Sequence, residues 1–188
     1  IAQDLKQEYG EELAHKDKAE TYSFFRQYGL QAELAKLKAD LAAFGVEFDV
    51  WTSEQSIYDR GMVDKALNTL KAQGMTYESE GALWLRTTDF GDDKDRVLVK
   101  SDGSYTYLTP DIAYHVDKFD RGYDKLIDFF GADHHGYIAR LKAAVQSLGK
   151  NKDDLEVDII QMARMVKDGE EFKMSKRTGK AVALKDLV

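Results

Sequence analysis

Lys173-Met174-Ser175-Lys176, followed by Arg177 and Gly179, places several cations and a hydroxyl on one short segment. Such a group can hold a polyphosphate and stabilise the charge that develops as pyrophosphate leaves. A second cluster, Gly131-Ala132-Asp133-His134-His135-Gly136, follows an apolar run and opens a helix-compatible stretch. Gly131 lets a ligand approach the backbone closely, and Asp133 can accept hydrogen bonds from sugar hydroxyls. The first amides of a helix suit an anion. The glycine spacing matches neither a dinucleotide fingerprint nor a Walker loop. Nucleotide contact is the leading reading for this cluster, with helix capping next. Metal ligation comes last, because adjacent histidine side chains diverge. Tyr107 and Asp111 form the third cluster, one ending a strand and the other in a first helical turn. The carboxylate can accept a bidentate guanidinium and the phenol can pack against its plane. Asp111 can equally serve only the helix dipole.

The elements that must position these clusters can be read from pattern. Residues 1 to about 45 have a helix-favouring composition, and Leu30, Leu34, Leu37, Leu41 and Phe44 recur at three- and four-residue spacing. The pattern predicts an amphipathic helix in need of a partner, separated at Gly29 from an earlier helix and stopped at Gly45. Phe48–Trp51 reads as a short strand and 62–73 as a helix. Tyr77 and the run 82–86 suggest a hairpin around Glu80 and Gly81. The polar stretch 89–95 marks a boundary between residues 1–95 and 96–188. Beyond it come a strand at 96–99, a turn at Asp102-Gly103 and a return over 105–107. A helix follows, capped by Thr109 with Pro110 as its first residue and running to about Lys118. The remaining elements are a strand at 126–130, a helix over 134–148 and a strand at 157–166. That alternation predicts an α/β fold with a parallel sheet, whose ligands sit beyond the strands' carboxyl ends.

Composition narrows the classes. With 27 basic against 34 acidic residues the formal charge is -7, which argues against a surface devoted wholly to nucleic acid. The absence of cysteine excludes disulfides, thiolate metal sites and a cysteine nucleophile. No apolar run approaches the roughly 18 residues of a membrane span. The lack of an initiator methionine, and an end inside a helix-like segment, suggest an excised piece.

In order and spacing, Tyr107-Leu-Thr-Pro-Asp-Ile-Ala-Tyr-His115, Gly131-Ala-Asp-His-His-Gly-Tyr137 and Lys173-Met-Ser-Lys-Arg177 resemble the bacterial arginyl-tRNA synthetase family. Phe48-Asp-Val-Trp-Thr-Ser-Glu54 and Gly81-Ala-Leu-Trp-Leu-Arg-Thr-Thr88 are also similar to it. The resemblance covers most of the chain, whereas the lysine–serine motif alone would indicate only a class I aminoacyl-tRNA synthetase. It implies that residues 96–188 are the C-terminal half of a class I Rossmann-like catalytic domain. Residues 1–95 would be a helical and small α+β inserted region. The implied activity is that of a cytoplasmic arginine–tRNA ligase, which activates arginine with ATP to arginyl-adenylate and pyrophosphate and then loads tRNA(Arg). Lys173, Ser175 and Lys176 would be catalytic. Gly131, Asp133, His135, Met165 and Val166 would bind ATP, with Mg2+ expected beside it and no structural metal. Tyr107, Asp111 and His134 would bind arginine. The family's His-x-Gly-His motif, N-terminal catalytic half and anticodon-binding domain are not in this sequence, so the isolated chain is expected to be inactive. Two other readings remain open at this stage: a different nucleotidyl-transferring enzyme of the same fold, and a non-catalytic piece that binds RNA or a partner.

Overall fold

The computed structural model describes residues 1–164, 166–167 and 169–171, which divide into two units. One comprises Ile1–Trp51 with the described residues beyond 164, and the other is Thr52–Arg164.

In the first unit, α1 spans Ala2–Tyr9 and α2 spans Lys18–Ala43. Asp17 caps α2 by accepting the Ala19 amide at 2.9 Å. Gly29 does not break α2, because one glycine costs a long helix only about 1 kcal/mol. The helix does stop at the expected place, where Gly45 takes φ 81°. Leu30, Leu34 and Leu37 are exposed, and no residue of α2 is fully buried. Tyr9 meets Phe24 edge-on at 5.1 Å, joining α1 to α2. Phe48–Trp51 forms no strand; Trp51 lies beneath Lys38 at 4.8 Å and edge-on to Phe48 instead.

The second unit begins with α3 (Glu54–Asp59) and α4 (Met62–Ala72). Then β1 (Thr76–Ser79) and β2 (Ala82–Leu85) form the expected hairpin. Glu80 and Gly81 both have positive φ, the combination that a tight two-residue hairpin loop demands. Antiparallel to β2 lies β3 (Arg96–Val99), completing a three-stranded sheet. The strand therefore does not join the parallel pair, as the alternation had suggested. Its pairing with β2 also crosses the expected 95/96 boundary, so the polar stretch 89–95 is a connection inside one unit. Leu70, Leu85, Leu98, Ile112 and Ala113 share one core, which ties α4 and the sheet to the next helix.

That helix, α5 (Leu108–Asp120), differs at its start from the expectation. Tyr107 occupies the cap position, and Thr109 is buried inside the helix with its hydroxyl donating to the Leu98 carbonyl at 2.7 Å. The strand's carbonyl captures the hydroxyl that would otherwise have capped. Beyond it, β4 (Leu126–Gly131) and β5 (Leu155–Ile160) pair in parallel from Leu126↔Leu155 to Gly131↔Ile160. Between them run a 3-10 segment, Ala132–Tyr137, and α6 (Ile138–Ser147), so the expected single helix is split. This β–α–β crossover is the Rossmann-like element of an α/β fold. A second small core, Leu126, Leu141, Val145 and Leu155, holds it together. Strand β5 is shorter than expected: residues 161–164 are irregular, and β6 (Val166–Lys167) pairs separately with β7 (Glu170–Glu171) in the other unit.

Candidate functional site

Asp111, His115 and Lys118 sit at successive turns of α5, a spacing that places them on one helix face. Along β4, Leu126, Asp128 and Phe130 are the shielded positions, while Ile127, Phe129 and Gly131 are exposed. These two faces wall a cleft of about 1070 Å³, lined also by Tyr107, His134 and Tyr137. Its size slightly exceeds the roughly 300–1,000 Å³ of typical small-molecule sites.

A charged cluster braces the cleft. Asp128 accepts from Lys118 Nζ at 2.6 Å and pairs with His115 Nε2 at 2.8 Å. His115 Nδ1 lies 2.7 Å from the Asp111 carbonyl. The ring therefore bridges the α5 backbone to the β4 carboxylate. Burial alone would push the Asp128 carboxyl up. Hydrogen bonds and charge from His115 and Lys118 outweigh it and hold the carboxyl at about 2.

Asp111 is a half-buried carboxylate of the cleft, and its Oδ2 accepts from the Tyr137 hydroxyl. Burial, and next the Asp111 carboxylate, push the Tyr137 phenol far above its ordinary range. Tyr107, at the start of α5, is 90% exposed. The structure thus brings together Tyr107, Asp111 and His134, the three residues expected to receive a guanidinium.

Gly131, Asp133 and His135 are exposed at the carboxyl end of β4 and in the segment after it, outside the set lining the cleft. A Cβ on Gly131 would lie 2.8 Å from Asp133 Oδ1, so this glycine lets the carboxylate fold back over the strand end. His134 Nε2 is 3.7 Å from Asp133 Oδ2. Val166 is exposed on the β6–β7 hairpin of the other unit. Met165, Lys173, Ser175 and Lys176 lie outside the described residues. Among those described, no group of three or more metal-ligating side chains comes together.

Sequence reasoning missed Tyr137, His115, Asp128 and Lys118. The available signals were a lone carboxylate at a shielded position of an apolar strand and two polar residues in register with Asp111.

Comparison with known proteins places this geometry in context. The profile described as "tRNA synthetases class I (R), catalytic domain" matches residues 5–188. Arginine–tRNA ligase 1 of Halalkalibacterium halodurans is 60% identical over all 188 residues, and the Bacillus subtilis arginine–tRNA ligase is 58% identical over the same span. The chain covers 34% of the length of each of these relatives. A Campylobacter jejuni structure assigned to the arginyl-tRNA synthetases superposes with a TM-score of 0.87 at 38% identity, over 99% of this chain and 40% of that one. The Thermus thermophilus arginyl-tRNA synthetase, 19% identical with a TM-score of 0.63, shares the fold over 73% of this chain and 30% of its own.

Proposed function

The chain belongs to the catalytic-domain family of class I arginyl-tRNA synthetases, and from that premise we propose that it supplies part of the arginine-activating centre of a longer enzyme. The observation that carries the proposal is Asp111, a carboxylate held by Tyr137 at the wall of a cleft that the exposed Tyr107 also lines. A guanidinium fork is the cation whose geometry such a carboxylate matches best.

In this reading the α-carboxylate of arginine attacks the α-phosphorus of ATP, forming arginyl-adenylate as pyrophosphate departs. A ribose hydroxyl at the 3′ end of tRNA(Arg) then takes the arginyl group, and AMP leaves. Tyr107, Asp111 and His134 hold the amino-acid side chain. Gly131, Asp133 and His135 meet the nucleotide at the strand end, and backbone near Met165 and Val166 reads adenine. Lys173 and Lys176, with Ser175 between them, stabilise the charge gathering on pyrophosphate. Mg2+, when bound with the nucleotide, would offset the charge of its phosphates. The remainder of the enzyme contributes the other catalytic half and the anticodon-binding domain, and the isolated chain does not turn over. A cytoplasmic place of action belongs to the same reading; among the described residues no helix is long and apolar enough to cross a membrane.

The test joins these 188 residues to the flanking sequence of the Bacillus subtilis relative and measures ATP–pyrophosphate exchange with tRNA(Arg) present. Exchange that depends on arginine alone among the amino acids is expected. Equal stimulation by several unrelated amino acids, or none by arginine in a demonstrably folded protein, refutes the proposal.

A further inference from the structure

Tyr137 lies 26 residues beyond Asp111, in the 3-10 segment that links β4 to α6, and donates its hydroxyl to Asp111 Oδ2. The ring is fixed from several sides. It packs against both hydrophobic cores, lies 6.2 Å from the Phe130 ring, and has the Arg140 guanidinium 5.1 Å over its centroid. Its phenol proton is retained across the whole working range of pH, since burial and the adjacent carboxylate both oppose ionisation. The hydroxyl is therefore a permanent donor at a fixed point. Among the described residues it is the only side chain that hydrogen-bonds the Asp111 carboxylate.

From this arrangement, and resting on the reading that Asp111 receives the arginine guanidinium, we infer that Tyr137 is a positioning residue that sets Asp111 for substrate. A carboxylate offers about four acceptor positions, and one bond to Oδ2 leaves the others for ligand while stopping rotation of the group. A freely turning carboxylate would have to be ordered on each binding event, and a two-pronged guanidinium is sensitive to that angle. Tyr137 thus acts through Asp111 and contacts neither reacting atom.

The test uses the full-length protein described above in four forms: unaltered, Tyr137→Phe, Asp111→Ala and the double variant. Phenylalanine keeps the ring and its packing and removes only the donor. Tyr137→Phe is expected to raise the KM for arginine about tenfold in pyrophosphate exchange, with the KM for ATP within about twofold. In the Asp111→Ala background the same change is expected to have almost no effect, because its target is gone. Equal losses in both backgrounds would show that Tyr137 supports the fold instead, and would overturn the inference. So would a parallel rise in the ATP KM with a fall in the unfolding midpoint. An unchanged arginine KM in Tyr137→Phe, beside a raised one in Asp111→Ala, would overturn the inference while leaving Asp111 in its role. An unchanged arginine KM in Asp111→Ala would remove the underlying reading, and the inference with it.

Discussion

Asp128→Asn tests whether the charged cluster on β4 supports the unit that carries the cleft. The carboxylate faces two donors, Lys118 and His115, whose side chains are 17% and 4% exposed. Its folded value of about 2 lies below the ordinary 3.8. At about 1.4 kcal/mol per pH unit, that gap corresponds to about 2 kcal/mol of stability at neutral pH. Because the folded value is depressed, this contribution is complete above about pH 5. It fades as pH falls through 4 and is gone only near 1. Replacing the carboxylate leaves Lys118 and His115 sharing one amide oxygen; breaking a fully enclosed ion pair commonly costs about 3–5 kcal/mol. Lys118 can swing partly into water, so a cost of about 2–3 kcal/mol at pH 7 is expected. Urea unfolding of a Trp51→Phe background, followed through Trp84, reads the second unit directly. Asp92, Asp95 and Asp102 also have depressed values, so acid weakens every form of the protein. The informative quantity is the difference between the two proteins, which should shrink below about 1 kcal/mol by pH 2.5. A difference that stays constant across this range would refute the electrostatic account and assign the loss to packing.

Leu98→Ala, at a fully buried position of β3, should cost about 2–5 kcal/mol in the same unfolding assay, whereas a loss under about 1 kcal/mol would show that the core relaxes around it. Gly131→Ala should leave the unfolding midpoint nearly unchanged, because the exposed Asp133 can rotate away from the new Cβ, yet raise the KM for ATP. A large stability loss there would mean that Asp133 is more rigidly held than its exposure implies. Lys176→Ala in the full-length protein should slow adenylate formation about a hundredfold with little change in ATP affinity, measured by single turnover beside equilibrium binding. Weakened binding with an unchanged rate from the saturated complex would make the lysine a ground-state anchor.

Tyr107 and Asp111 were legible as lining one cleft because local signals alone place them there, although Tyr107 does so from the cap position of α5 and not from the expected strand end. The hairpin at Glu80-Gly81 and the stop at Gly45 were legible for the same reason: each is set by local backbone geometry. Failures arose where a distant partner decided the outcome. Thr109 has the chemistry of a cap, but the Leu98 carbonyl eleven residues earlier takes its hydroxyl. Strand β3 reads alike in parallel and antiparallel sheets, and only its pairing with β2 separates them. The polar run 89–95 resembles a boundary, yet Asp92 turns inward onto Arg96 with two bonds of 2.7 and 2.8 Å, stitching the connection to the strand that follows.

The charged cluster lies between these cases. Leu126-Ile-Asp-Phe-Phe130 carries a carboxylate in an otherwise apolar strand, and alternation puts it on the same face as Leu126 and Phe130. A charge at such a position requires partners, since leaving it unpaired in the interior would cost several kcal/mol. The helix before it offers two cation-forming residues, His115 and Lys118, in phase with Asp111. Followed through, that reasoning predicts a brace between α5 and β4 from sequence alone. Tyr137 admits no such derivation: an aromatic residue in a helix-like run is ordinarily core, and only the 3-10 turn after Gly131 brings its hydroxyl to Asp111. In the proposed reading, the amino-acid end of the site is assembled from one local pair, Tyr107 and Asp111, and one long-range donor. The long-range donor is the part that the fold has to be known to find.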